Sequence, residues 1–97
     1  MATIIVSYPA HDGAHFDQAY YRATHMPMAE AAWAPHGMTG WEALFPAGDQ
    51  PWVAAVLLRF RDQAAIDAAL ASAGTPAVMA DVANFTDIHP VIYRAGD

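Results

Sequence analysis

Apolar residues along this 97-residue chain fall into two alternating rhythms. Residues 3–8 (TIIVSY), 38–45 (MTGWEALF), 52–60 (WVAAVLLRF) and 87–93 (DIHPVIY) are β-branched, aromatic or leucine-rich. That composition suits a pleated, half-buried surface, so each run is read as a strand. Pro9 ends the first, and the loop PAGDQP, residues 46–51, separates the second from the third. The intervening segments are rich in alanine and carry helix punctuation. Asp17 is placed to cap a helix over residues 18–33, with Phe16 stapled across to Tyr21. Pro27 lies inside that helix. It has no backbone N–H and clashes with the preceding turn, so a kink or a break is expected near His25 and Met26. Pro35 and Gly37 close the segment. Asp62 caps a second helix from Gln63 to about residue 72, which Gly74, Thr75 and Pro76 interrupt. A short helix over residues 76–83 follows, with Thr75 as its cap and Pro76 at its first position.

The order is β-α-β-β-α-β. It predicts a single α+β domain over residues 1–97, with the ferredoxin-like split βαβ arrangement, an antiparallel sheet and both helices on one face. The third strand adds a detail. Val53, Ala55 and Leu57 point to one face, and Ala54, Val56, Leu58 and Phe60 to the other. Both faces are apolar, although a sheet covered on one side only should turn polar towards water. Ile4 and Val6 against Ile5, and Ile88 and Ile92 against Val91, repeat the pattern. The simplest remedy is a second sheet from a second copy, so a homodimer is expected.

Composition narrows the function. Hydrophobic residues make up 56% of the chain and charged ones 14%, which excludes a disordered chain. The net charge is −6, with four arginines and no lysine. Nucleic acids and anionic membrane surfaces need clustered basic residues, so neither is expected as a partner. The longest apolar run, residues 52–58, is too short to span a bilayer. The first eight residues lack the basic and apolar regions of a signal peptide, which makes the cytoplasm the expected compartment. There is no cysteine, so disulfides, thiolate metal sites and a cysteine nucleophile drop out.

The densest polar and aromatic cluster lies on the first helix: Phe16, Asp17, Tyr20, Tyr21, His25, Met26 and Pro27. Tyr21 and His25 are four apart and share a face if the helix is intact between them. Together they can orient a carbonyl or phenol and move a proton near neutral pH. A histidine that merely bonds a carbonyl freed by Pro27 fits the same pattern. His89, read on the fourth strand with Val91 and Tyr93, either meets this cluster in a pocket or lies at the dimer seam. Asn84 and Asp87 flank Phe85 and Thr86; they hold a turn or, on the other reading, touch a substrate. His11 and His15 have the spacing of helical metal ligands, but Asp12 and Gly13 make the segment a loop, and no metal set is complete. No dinucleotide fingerprint or phosphate loop is present. No cofactor, metal or flavin is expected.

The segment FDQAYYRATHMP, residues 16–27, after a strand ending in Tyr8 and Pro9, resembles the EthD family. So does VMADVANFTDIHPVIY, residues 78–93, which resembles a subgroup of short bacterial EthD-like proteins often labelled reductases. The resemblance spans nearly the whole chain. It implies a dimeric α+β barrel, in which two sheets close on each other. Related barrels include cofactor-free monooxygenases, polyketide cyclases and muconolactone-type isomerases, which use a pocket between helices and sheet. The resemblance thus implies a small cofactor-independent oxidoreductase acting on an apolar or aromatic compound and raises His25 and Tyr21 as its catalytic pair; the reading of the residues adds Tyr20, His89, Asp87 and Asn84 as candidates at the substrate. An isomerase or cyclase, or a non-catalytic accessory protein that binds a metabolite, are the alternatives.

Overall fold

The computed structural model describes residues 1–96. Strands β1 (Ala2–Pro9), β2 (Met38–Leu44), β3 (Trp52–Phe60) and β4 (Val91–Arg94) form one antiparallel sheet in the order β2-β3-β1-β4. Helices α1 (Gln18–Tyr20) and α2 (Met26–Trp33) are joined by a π turn, Tyr21–His25. Helices α3 (Gln63–Leu70) and α4 (Thr75–Asp81) fill the second connection, and a 3₁₀ turn, Val82–Asn84, extends α4. This is the ferredoxin-like α+β fold. Among the described residues, no helix is long and apolar enough to cross a membrane.

Local chemistry explains most element ends. The Asp17 carboxylate accepts the Tyr20 N–H at 3.0 Å, and the Phe16 and Tyr21 rings sit 5.2 Å apart. The Asp62 carboxylate accepts the Ala65 N–H at 2.8 Å. Both caps satisfy donors that a helix start leaves without intrahelical partners. Thr75 differs from expectation. It begins α4 rather than capping it, and its hydroxyl accepts from the Trp33 indole at 2.8 Å and donates to the Ala69 carbonyl at 2.7 Å. The last strand is also shorter than its sequence suggests. Pro90 has no N–H to give a ladder, and the Ile88 N–H bonds the Thr86 hydroxyl instead. Residues 87–90 are therefore irregular, and pairing with β1 starts at Val91.

Gly37 ends the first helical region at φ 112°, a conformation that strains any residue with a Cβ. A Cβ there would also lie 2.6 Å from the Ala65 Cβ. The Gly37→Ala variant is therefore expected to combine left-handed strain with overpacking, about 2–4 kcal/mol together. Thermal denaturation should register a midpoint lower by about 10 °C or more; an unchanged midpoint would mean that the α2–β2 corner yields freely.

The helix-facing side of the sheet, with Ile4, Tyr8, Ala54, Val56, Leu58 and Phe60, packs with Tyr21, Met26, Ala29, Trp33, Ile66, Val78 and Phe85 into one core. The opposite side has no helix. Strand register sets out two rows across it: Leu44, Ala55, Ser7 and Val91, then Glu42, Leu57, Ile5 and Tyr93. Leu44, Val91 and Tyr93 are each about half exposed or more. Among the described residues, the one ion pair on this side lies at the far end, where Arg59 meets Glu42 at 3.3 Å.

Candidate functional site

Pro27 shapes the site by what it cannot do. It has no N–H for the carbonyl four residues earlier, and its ring crowds that carbonyl. The helix does not break there. It widens just before the proline, and the Met26 N–H reaches back five residues to the Tyr21 carbonyl. Pro27 then falls in the first turn of α2, where a missing N–H costs little. Such wide turns recur at functional sites.

The widened turn holds Tyr21 and His25 in a stack, ring centres 5.4 Å apart and planes inclined by 22°. Both residues are buried. Phe85, fully buried, braces His25 at 4.6 Å and Tyr21 at 5.0 Å. His25 is not fixed by a carbonyl freed at the proline. Its Nδ1 lies 3.0 Å from Oδ2 of Asp81, the last residue of α4 and equally buried. The other Asp81 oxygen, Oδ1, accepts from the Tyr20 hydroxyl at 2.7 Å and from the Asn84 amide at 2.9 Å. Burial alone would raise the Asp81 carboxyl, but the bonds from Asn84, Tyr20 and His25, with the charge on His25, hold it below its ordinary value. A carboxylate acceptor calls for a proton on Nδ1, which leaves Nε2 as the basic nitrogen.

Among the described residues nothing hydrogen-bonds Nε2, and no sealed polar side-chain atom lacks a partner. Nε2 therefore meets open space, and His25 lines a cavity of about 90 Å³ between the helices and the sheet. The walls are almost wholly apolar; Ile4, Val6, Met26, Val56 and Leu58 are among them. Two phenols interrupt them. Burial pushes the Tyr8 hydroxyl up to about 12, against an opposing hydrogen bond from Tyr21. Burial, with the neighbouring Tyr8, raises Tyr21 further. Both stay protonated donors at neutral pH. The cavity thus sets a base, His25, beside two hydroxyl donors in apolar surroundings.

The depressed Asp81 value has a consequence in acid. A carboxylate held below its unfolded value stabilises the fold above about pH 4 and loses that contribution as pH falls through the folded value. Melting temperatures measured between pH 5 and 2 should fall more steeply for the native chain than for Asp81→Asn. Parallel curves would show that the network adds no pH-dependent stability.

No family model matches the chain, and no curated protein matches it by sequence. Solved structures do. An EthD-like protein from Ralstonia eutropha JMP134 is 29% identical, with a TM-score of 0.85 over 97% of this chain and 88% of its own. The chain is similar to this EthD-like protein over nearly its whole length, in sequence and in fold. More distant structures share the fold. An ethyl tert-butyl ether D family protein from Bacillus halodurans C-125 is 14% identical, with a TM-score of 0.69 over 99% of both chains. SnoaB, a cofactor-independent oxygenase from Streptomyces nogalater, is 15% identical, with a TM-score of 0.68 over 99% of this chain and 93% of its own.

Of the positions singled out in the sequence, the fold brings His25, Tyr21, Tyr20 and Asn84 to one network, the last two through Asp81 rather than at the cavity wall. Asp87 and His89 stand elsewhere. His89 is exposed in the irregular segment before β4, outside the His25 cavity, and not on a strand face with Val91 and Tyr93. Asp87 accepts the His15 N–H at 2.9 Å and sits 3.6 Å from the His11 ring, so it ties two loops together. Asp81, Tyr8 and Phe85 complete the site and escape a sequence reading. The one available signal was Asp81 itself. A carboxylate in the last turn of a helix opposes the helix dipole, and in the apolar setting VMADVANF it needs a partner to be buried.

Proposed function

We propose that the chain is a small cofactor-independent enzyme, an oxidoreductase, that removes a proton from an apolar or aromatic compound bearing a carbonyl or phenol. The observation that carries this reading is the His25–Asp81 pair with its free nitrogen at an apolar cavity. Nε2 takes the proton, Asp81 stabilises the imidazolium that results, and Tyr8, whose hydroxyl accepts from Tyr21 and keeps its own proton free, hydrogen-bonds the oxygen on which charge gathers. The electron pair of the broken C–H bond then passes to dioxygen. Protonation by His25 gives a hydroperoxide, and loss of water leaves a new carbonyl. SnoaB, a cofactor-independent oxygenase, supports this direction by fold alone. A homodimer closed through the outer sheet face is part of the proposal, supported by the apolar rows there.

The proton step is tested without knowing the substrate. Pentane-2,4-dione, a small and readily ionised carbon acid, should exchange its central hydrogens for deuterium faster with the native protein than in buffer, and the gain should vanish in His25→Gln. Dioxygen uptake then separates oxidation from isomerisation. A binding protein without turnover would take up the dione and accelerate neither.

A further inference from the structure

The cavity is too small for the compounds such a site would serve. Ligand sites usually measure about 300–1,000 Å³, and an engineered cavity of about 150 Å³ holds benzene; this one offers about 90 Å³. Part of its wall is shared with the surface. Met79, Val82 and Pro90 line it and also line a surface groove of about 450 Å³. The groove runs between α4 with its 3₁₀ turn and the irregular segment 87–90, with Ala80, Ala83, Ile88 and His89 along it. Met79 is 45% exposed, so the shared residues form a sill rather than a sealed wall.

Resting on the reading of the cavity as the reacting site, we infer that one elongated ligand occupies both spaces, its oxygen-bearing head at His25 and its apolar body crossing the sill into the groove. The ligand class is a small ionisable head, a ketone or phenol, carrying an apolar chain or ring system that reaches beyond it. Pro90 matters here for the same reason that shortens β4: a strand continued back to residue 87 would be regular where the groove now runs. His89, exposed and away from His25, then meets the far end of the ligand, which gives it a contact that its distance from the cavity otherwise denies.

A homologous series decides the matter. Pentane-2,4-dione, heptane-2,4-dione and nonane-2,4-dione share one head and lengthen at one end. NMR titration of the native chain should show affinity rising about fourfold for each added methylene that is buried. Ala80→Trp and Ala83→Trp, at exposed groove positions that do not line the cavity, fill the groove. They should leave pentane-2,4-dione binding as it was and flatten the gain. Affinity independent of chain length, or a gain untouched by both tryptophans, overturns the inference while the cavity reading stands. Failure of every dione to bind overturns the reading of the site, and the inference with it.

Discussion

His25→Ala is expected to lose the proton-transfer activity by about a hundredfold to ten-thousandfold, the usual worth of a placed general base, while it keeps its fold and its oligomeric state. The imidazole contributes one buried hydrogen bond, to Asp81. Its loss strands a carboxylate oxygen, although Tyr20 and Asn84 still hold the other. The stability cost is therefore moderate, about 1–3 kcal/mol. His25→Gln separates the roles further. A glutamine amide can still donate a hydrogen bond but cannot take a proton at neutral pH, so the variant should bind the dione and fail to exchange it. If His25 only tied two helices together, alanine would lower the melting temperature and leave exchange intact. Exchange rate and melting temperature, measured on the same preparations, distinguish the two.

Ile5→Lys is expected to turn a dimer into a monomer. Ile5 sits in the second outer row between Leu57 and Tyr93 and takes no part in the core beneath the helices. In a monomer the lysine ammonium stands in water and costs the fold little. Across a closed sheet-to-sheet interface, where about 2,000 Å² or more is normally buried, it would lie unpaired. A penalty of about 3 kcal/mol weakens association more than a hundredfold. Sedimentation at micromolar concentration should show the native chain at twice its 10.4 kDa mass and the variant at that mass. A native monomer, or a dimer indifferent to Ile5→Lys, would place any contact elsewhere.

Short-range rules made much of the fold legible. Asp17, Asp62, Gly37 and Pro27 each act within a few residues of their own position, so caps, a helix end and a disturbed turn could be anticipated from neighbours alone. The form of the disturbance could not, because a kink and a widened turn both answer a missing N–H. The site was half legible for a related reason. Tyr21 and His25 are four apart, whereas Asp81 lies 56 positions from His25 and no local pattern joins them. His89 was misplaced because a β-branched run was extended back through Pro90. The ladder cannot pass that residue.

The π turn also sets an angular phase. Every four residues an α-helix overshoots a full rotation, since its turn takes 3.6. A turn bonded five residues apart undershoots instead. Because one undershoot is followed by overshoots, Tyr21, His25, Ala29 and Trp33, each four apart, keep to nearly one line and are all buried. Helix α1 and helix α2 are thus two scales read against each other, like a vernier. Removing a single residue between positions 21 and 25 would restore even winding and leave the upstream scale nearly in phase, because the wide turn takes up one spare residue. Adjacent tyrosines that now divide the work, Tyr20 on Asp81 and Tyr21 on the cavity, would keep their stations, and the stack on His25 would answer to a tighter turn.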